Sequence, residues 1–362
     1  MTFLALRIAV FLASAALALG TLGSAIRAFV LPRAAPNWIP RATFRTMRAL
    51  FDVRVRFARG FAKRDRIMAL YAPLSLILLE TVWLWLEALS FTGIFWALRG
   101  GAVLDAFHEA VSSLTTLGFR GPRGSAEVVA AFVAASIGLV LIALLISYLP
   151  TMYTVFSRRE TLVATLDARA GVPPTGVELL SRCAGVSRPE EFQESLNEVW
   201  AQWEVWFADI EETHTSLAAI TYFRSPQPQR NWVTAAGAVL DAAALTVSTL
   251  KVRRDGQAAL CLRSGYRALV RVAEFFDLDA PSDPAANLPL SVTREEFDAA
   301  YDHLDRSGVP VIENRDEAWR GFASWRRRYD AALLGLADLV MAPEAPWSSD
   351  RSAGRRRRRG ER

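Results

Sequence analysis

Three stretches of the chain are almost continuously apolar, and each is long enough to cross a bilayer. They cover residues 3–30, 67–98 and 126–149. An α-helix rises about 1.5 Å per residue, so about twenty apolar residues span the roughly 30 Å of hydrocarbon. The pattern predicts an all-α membrane protein with spanning helices at residues 1–30, 67–98 and 126–149.

The first apolar stretch admits two interpretations. Residues 16–18 read Ala-Leu-Ala, which is typical of the site where a secretory signal is cleaved. The stretch is longer than the apolar core of such a signal, and it carries Arg7 and Arg27 near its two ends. An N-terminal transmembrane helix is therefore favoured, with a cleaved signal as the alternative.

A shorter amphipathic segment lies between the second and third stretches. Four of its apolar residues recur at helical spacing on one face: Val103, Phe107, Val111 and Leu114. This spacing predicts a short helix at about residues 105–115. Residues 115–119 then read Thr-Thr-Leu-Gly-Phe. Non-helical backbone at membrane depth needs protein or water to satisfy its polar groups, so a re-entrant loop here predicts a pore or cavity. The alternative is a surface hairpin between two spans.

Basic residues are concentrated in the connection between the first two stretches, residues 31–66. They are Arg33, Arg41, Arg45, Arg48, Arg54, Arg56, Arg59, Lys63, Arg64 and Arg66. Arg158 and Arg159 follow the third stretch. Short loops rich in lysine and arginine stay in the cytoplasm. The charges predict a multi-pass protein of the cell membrane with its N-terminus outside, a basic cytoplasmic linker at 31–66 and a cytoplasmic C-terminal domain.

Residues 67–150 resemble the two-helix pore of bacterial potassium channels, because residues 116–119 read Thr-Leu-Gly-Phe where that family reads Thr-Val-Gly-Tyr. The resemblance implies an outer helix at 67–98, a pore helix and filter at 103–121 and an inner helix at 126–149. The implied selectivity filter comprises Thr115, Thr116, Leu117, Gly118, Phe119 and Arg120. Its carbonyls at 116–119 would replace the hydration shell of a potassium ion. One loop per chain cannot enclose an ion, so the resemblance implies a homotetramer.

The sequence departs from the family pattern at Arg120, which stands where the second filter glycine is usual. That position takes a glycine-favouring conformation, and arginine adds a positive charge at the outer mouth. Gly121 is a candidate for restoring flexibility, and Glu87 or Glu109 is a candidate partner for the guanidinium. Ser112 lies where many potassium channels place a glutamate, so the filter support is expected to differ from theirs.

Two residues of the inner helix are candidates for a gate or hinge. Gly138 lies close to the position where potassium channels often carry a hinge glycine. The alternative for Gly138 is close packing against another helix. Pro150 ends the predicted span and favours a break or bend at the cytoplasmic mouth.

Beyond Arg158 the composition becomes that of a soluble domain, predicted over residues 151–344. Apolar residues recur at three- and four-residue steps, with glycine and proline between the segments. The predicted helices are 160–170, 176–184, 189–213, 232–252, 260–276, 294–306 and 313–340. The sequence has no alternating strand and helix pattern and no glycine-rich nucleotide motif, which argues against a Rossmann-like sensing domain.

Aromatic and apolar residues predict the core of this domain. An aromatic stripe at helical spacing comprises Trp200, Trp203, Trp206 and Phe207. We expect it to be buried. Residues 235–250 are apolar enough to suggest a fourth span, but the central Asp241 favours a buried helix of a soluble domain. A buried ion pair of Asp241 with Arg224 or His214 is expected, and anion binding by Arg224 is the alternative.

The sequence offers little for catalysis or metal binding. It has no nucleophile elbow and no zinc-binding helix motif, and its three histidines exclude a histidine-rich metal centre. Cys183 and Cys261 lack Cys-x-x-Cys spacing, so we expect reduced structural thiols. The prediction is a non-enzyme without cofactor or metal site, for which potassium is the transported species.

The tail at residues 345–362 ends in a run of five arginines at 355–359 and is expected to be disordered. Basic segments near the cytoplasmic leaflet attract anionic lipid by about 1 kcal/mol per residue. Nucleic-acid binding is not expected, because no nucleic-acid-binding fold accompanies the charge. Two functions follow: a tetrameric potassium-permeable channel whose cytosolic domain regulates gating or assembly, or a non-conducting membrane-anchored helical scaffold or sensor with a degenerate pore loop.

Overall fold

The computed structural model describes residues 2–29, 37–252, 256–281 and 288–351. The described residues form twelve α-helices, a 3₁₀ turn at Ala218–Tyr222 and an isolated β-bridge between Leu250 and Val311. The helices are α1 Thr2–Phe29, α2 Trp38–Arg56, α3 Phe61–Ala69, α4 Tyr71–Arg99, α5 Val103–Leu114, α6 Ser125–Ala170, α7 Gly176–Val186, α8 Phe192–Ser216, α9 Trp232–Thr249, α10 Gly256–Phe275, α11 Arg294–Arg306 and α12 Arg315–Leu339. The all-α class is confirmed for this part of the chain.

The chain divides into two compact units. The first comprises Met1–Arg59 and Ile67–Thr154, and the second comprises Gly60–Arg66 and Val155–Arg362. Four helical segments are long and apolar enough to cross a membrane: Phe3–Phe29, Phe61–Arg99, Ser125–Ala170 and Trp232–Thr249. Three of them contain the stretches predicted to span.

In the first unit, α1 and α4 run antiparallel in close contact. Trp83 Nε1 donates a hydrogen bond to Ser24 Oγ (3.1 Å). Ser14 of α1 and Gly93 of α4 form a second contact. A Cβ added at Gly93 would overlap the Ser14 hydroxyl. Small residues let two helix backbones approach closely. Such close packing favours helix association where the hydrophobic effect does not contribute to it.

The predicted basic linker at 31–66 contains helical structure. Residues 30–36 lie outside the described residues. Helix α2 covers most of it, and α3 begins at Phe61. On one side of α2, Ile39 and Val55 are buried, and Phe44 lies near the Tyr71 ring of α4 (6.1 Å between centroids). The apolar positions of α2 are widely spaced and separated by arginines, which hides its helical period.

Helix α6 continues through Pro150 to Ala170, so the predicted end of the inner helix at 149 and the separate helix at 160–170 are both wrong. Proline lacks the amide hydrogen that would bond to the carbonyl four residues earlier. Hydroxyl groups next to it donate to nearby carbonyls, as Thr151 Oγ1 does to the Ser147 carbonyl (3.1 Å). Such side-chain bonds let a helix pass through a proline, as transmembrane helices often do.

The second unit has one large core built around α9. Helix α9 is buried on nearly all sides, and α7, α10 and α12 pack against it. The aromatic stripe on α8 is buried as predicted, with Trp200 and Phe207 fully enclosed. Helices α7 to α12 begin and end within a few residues of the predicted bounds.

The first part of the predicted disordered tail is ordered. Residues 345–351 pack on the second unit, and Ala345, Ser348 and Ser349 are buried. Arg351 pairs with Glu296 of α11. The arginine run at 355–359 lies outside the described residues. Serine and aspartate made the segment look solvated, but here Ser349 satisfies backbone groups: its Oγ accepts from Ala345 N–H (3.0 Å) and donates to the Pro343 carbonyl.

Candidate functional site

The candidate site is the 115–121 loop, which follows α5 in the first unit. Helix α5 packs on α4, because Ala106 and Ala110 are buried against Phe91 and Phe95 of that helix. Phe107 stacks on Trp85, which also lies on α4 (6.2 Å between centroids). The predicted short helix at 105–115 is thus present as Val103–Leu114. It fixes the position from which the loop departs.

Three alternate amides of the loop point back toward α5. Thr116 N–H donates to the Ser113 carbonyl (3.1 Å), and Gly118 N–H donates to the Ser112 carbonyl (3.4 Å). Arg120 N–H donates to Ser112 Oγ (3.0 Å). In a trans peptide each N–H points opposite to the preceding carbonyl. The carbonyls of residues 115, 117 and 119 therefore point away from α5.

The backbone conformation of the loop alternates in the same way. Thr115 lies in the right-handed helical region, whereas Thr116 (φ 58°) and Gly118 (φ 70°) lie in the left-handed region. Residues 115–119 are all exposed in the single chain, with Leu117 at 69% and Phe119 at 60%. No described residue donates a hydrogen bond to a carbonyl of 115–119. Among the described residues, this row of acceptors has no hydrogen-bond partner.

Ser112 fastens the far end of the loop to α5. It is buried, its hydroxyl donates to the Arg120 carbonyl (2.9 Å) and it accepts from the Arg120 amide (3.0 Å). A serine side chain is short, so these two hydrogen bonds draw residue 120 close to the helix.

Arg120 pairs with a different residue from those considered in the sequence. Its Nη1 lies 2.9 Å from Asp105 Oδ1 at the start of α5. Neither Glu87 nor Glu109 contacts it. The physical reason is the Ser112 bond, which turns the loop back along α5 and aims the arginine toward the first turn of that helix. The carboxylate of Asp105 is half exposed, so this pair is only partly shielded from water.

Glu109 belongs to a buried ion cluster that joins three helices. Arg99 at the end of α4 bonds to Glu109 of α5, and its Nε and Nη2 donate to the two oxygens of Glu127 of α6 (2.9 and 2.6 Å). The Arg123 amide also donates to Glu127 (2.8 Å). Glu109 is completely buried. We call Arg99, Glu109 and Glu127 the arginine clamp; it locks α5 between the ends of the two long helices.

Two further carboxylates lie inside the first unit. Glu80 and Glu87 are seven residues apart on one face of α4, and both are buried. Neither carboxylate has a hydrogen-bond partner among the described residues. An unpaired buried carboxylate is very costly in its charged form, so both are expected to be neutral there. Glu87 thus lies away from Arg120 and gives the loop no charge.

Gly138 lies at a backbone contact. An added Cβ would overlap the carbonyl oxygen of Leu114, the last residue of α5. The α6 helix passes through Gly138 without interruption. Of the two interpretations from the sequence, the contact favours close packing over a hinge. The other gate candidate, Pro150, lies inside continuous helix and forms no break.

The charged residues predicted to pair in the second unit have other partners. Asp241 bonds to Arg326 Nη1 (2.6 Å) and accepts from the Tyr329 hydroxyl (2.7 Å). Arg224 pairs instead with Asp65 (2.5 Å). Burial, together with the nearby Asp241 carboxylate, raises the pKa of Tyr329. The partner of Asp241 is 85 residues away in sequence, and no local pattern indicates it.

His214 is buried beside an arginine. Its Nε2 lies 3.3 Å from Arg159 Nη1, and that guanidinium donates to the Ile220 carbonyl (2.9 Å). Burial, reinforced by the positive charge of Arg159, lowers the pKa of His214 well below its ordinary value. The ring is neutral and structural, and it does not pair with Asp241.

The described part of the chain contains no group of three or more histidine, cysteine, aspartate or glutamate side chains placed to hold a metal ion. Burial raises the pKa of both Cys183 and Cys261, which disfavours their reactive thiolate forms.

Comparison with known proteins finds no matching family model, no similar curated protein and no similar solved structure.

Sequence reasoning missed three residues that shape the site: Asp105, Arg99 and Glu127. A signal for the last two was present, because an arginine at one end of an apolar stretch and a glutamate at the start of the next lie at the same membrane depth. An unpaired charge near hydrocarbon is energetically costly, so this arginine and this glutamate are expected to pair. Asp105 gave a weaker signal, as an acidic residue in the first turn of a helix is common for its favourable dipole interaction.

Proposed function

We propose that this protein is a tetrameric cation channel, permeable to potassium, that conducts through backbone carbonyls of the 115–121 loop. The observation that carries the proposal is the alternation of amides at 116, 118 and 120, all bonded back to α5, with the carbonyls of 115–119 left exposed. A partly dehydrated cation is bound by such oxygens. The resemblance of residues 116–119 to a potassium filter agrees with this.

The carbonyls of 115–119 accept no hydrogen bond from the described residues, which supports the assembly. Polar backbone at membrane depth must be satisfied by protein, by water or by an ion. Four copies around one axis place four sets of carbonyls opposite each other and close the ring. The exposed apolar residues of α6, such as Phe132 and Ile146, give such copies surface for contact with each other or with lipid.

A non-conducting scaffold is the second candidate, and Arg120 favours it. Its guanidinium adds a positive charge beside the carbonyl row, and its partner Asp105 is half exposed. A surface pair of this kind contributes only about 0.2–1 kcal/mol. In the scaffold, the helices and the arginine clamp keep the loop folded without ion passage.

Potassium flux into liposomes that contain the purified full-length protein tests the two candidates. A channel gives flux in the wild type, and Gly118→Ala lowers it at least about tenfold, because alanine at a positive φ costs about 1–2 kcal/mol. Gly121→Ala is the matched control: an added Cβ meets nothing at either glycine, and only Gly118 has a positive φ. The control should conduct normally.

The scaffold predicts a different set of results. The wild type then gives no flux above empty liposomes, and Arg120→Gly either restores conduction or leaves it absent. Mass measurement in detergent adds an independent check, since the channel requires four copies of the 40.0 kDa chain. A strictly monomeric protein would rule out the channel.

A further inference from the structure

We infer that the outward face of α2 is a binding site for the headgroups of anionic phospholipids at the inner membrane surface. This face, which we call the α2 basic face, combines Trp38, Arg41, Arg45, Val53 and Arg56. These residues are separated by three, four, eight and three positions, which places them on one side of the helix. All five are exposed. The inference rests on the proposed function and on the membrane orientation predicted from the sequence.

The contacts of α2 place it at the ends of two candidate spans. Asn37, which precedes α2, accepts from Ser24 Oγ and donates to the Ser24 carbonyl (2.8 Å each), near the end of α1. Further along, the Phe44 carbonyl accepts from the hydroxyl of Tyr71, the first residue of α4 (3.1 Å). The helix is thus fastened where both spans meet the basic side of the membrane.

The charge of α2 is unbalanced. Residues 37–59 contain six arginines and one aspartate. That aspartate, Asp52, pairs with Arg48 (3.0 Å). Within the described residues, no carboxylate lies within ion-pair distance of Arg41, Arg45 or Arg56. Guanidinium groups bind phosphate through two parallel hydrogen bonds, which suits a phospholipid headgroup.

Exposed apolar side chains on the same helix indicate a lipid and not a water-soluble anion. Trp38 is 72% exposed and Phe57, just after the helix, is 83% exposed. Tryptophan is enriched at the membrane interface, and basic helices with exposed apolar residues lie in that plane. A second copy of the chain is disfavoured as the occupant, because two arginine-rich faces repel each other.

Lipid retention by the full-length protein tests the inference. The protein in mild detergent is equilibrated with equal amounts of phosphatidylglycerol and phosphatidylcholine, and bound lipids are counted by native mass spectrometry. Arg41→Gln with Arg45→Gln should lower the ratio of phosphatidylglycerol to phosphatidylcholine about thirtyfold, since each of the two basic residues contributes about 1 kcal/mol. Arg263→Gln with Arg267→Gln is the matched control, with the same spacing on the exposed side of α10. It should leave the ratio unchanged.

Three further measurements make the result decisive. Trp38→Ala should reduce retention of both lipids and leave their ratio unchanged. The wild-type ratio should fall as salt is raised, a readout that does not depend on any variant folding. An unchanged ratio in the Arg41/Arg45 variant, or a loss of subunits from its assembly, overturns the inference; the second result would make the face a subunit interface.

Retention and conduction are separate readouts. A protein that conducts potassium without preferring phosphatidylglycerol contradicts only the lipid site. A protein with that preference that fails to conduct contradicts only the channel.

Discussion

The two units of this chain satisfy their polar and apolar groups in different ways. In the second unit, α9 is enclosed, and the buried Arg326 has two carboxylate partners, Asp241 and Asp330. In the first unit, α1 and α6 are mostly exposed, and the buried carboxylates of Glu80 and Glu87 have no partner among the described residues. The first unit exposes long apolar helix faces, which is compatible with a membrane protein.

The largest effect expected from this comparison is in the second unit. Asp241→Leu leaves Arg326 and Tyr329 without their shared acceptor, and breaking a buried ion pair costs about 3–5 kcal/mol. Hydrogen exchange of α9 and α12 peptides in the full-length protein measures this loss. Asp302→Ala is the control, because its pair with Arg315 is exposed. A cost below about 1 kcal/mol for Asp241→Leu would show that the network is not essential to the unit.

The next effect separates packing from hinge motion in the first unit. Gly138→Ala forces a methyl group against the Leu114 carbonyl, and overpacking of this kind costs about 1–3 kcal/mol. Because Leu114 ends α5, the loop should shift and potassium flux should fall. Gly185→Ala, at an exposed helical glycine with open space, should instead stabilise its helix by about 0.5–1 kcal/mol. If Gly138→Ala kept full stability and altered only gating, the hinge would be supported.

Local signals explain why the second unit was the more predictable. The predicted helix at 294–306 matches α11 because Thr293 and Glu296 form a capping box, a signal within four residues. The same reasoning failed at Pro150, since the rule that proline ends a helix ignores hydroxyl groups that replace the lost bond. Local chemistry therefore predicted the helices of the second unit well, whereas in the first unit it missed α2 and misplaced the end of α6.

The site was predicted only as far as local sequence reaches. A loop after the short helix follows from residues 103–119 alone, and the structure has a loop there with Ser112 bonded to its far end. That this loop is a selectivity filter stays a prediction. The ion partners do not follow from local sequence: Arg99 and Glu127 are 28 residues apart, and Asp241 and Arg326 are 85 apart. Choosing among several acidic residues for one arginine requires knowing which helix faces meet. That information is in the packing of the helices and not in their periods.

A pH effect of intermediate size is expected in the second unit. His214 is kept neutral in the folded state, whereas in the unfolded state it binds a proton below its ordinary pKa of about 6.5. Stability should therefore fall as pH drops below about 6.5, by up to about 1.4 kcal/mol per pH unit. Above that pH the residue has no effect. Chemical unfolding of the wild type and of His214→Gln from pH 7 to pH 5 measures the difference; equal slopes would contradict a neutral buried ring.

The smallest effect concerns the bond that holds the loop to α5. Ser112→Ala removes two hydrogen bonds to the Arg120 backbone, at about 1–2 kcal/mol. Amides of residues 116–120 should exchange faster and potassium flux should fall, while α8 to α12 exchange as before. Ser113→Ala is an adjacent control, because its carbonyl still accepts from Thr116 N–H and its hydroxyl bonds to no described residue. Of these two serines, only Ser112 bonds to the Arg120 backbone. Equal flux in both variants would therefore mean that conduction does not depend on the position of residue 120.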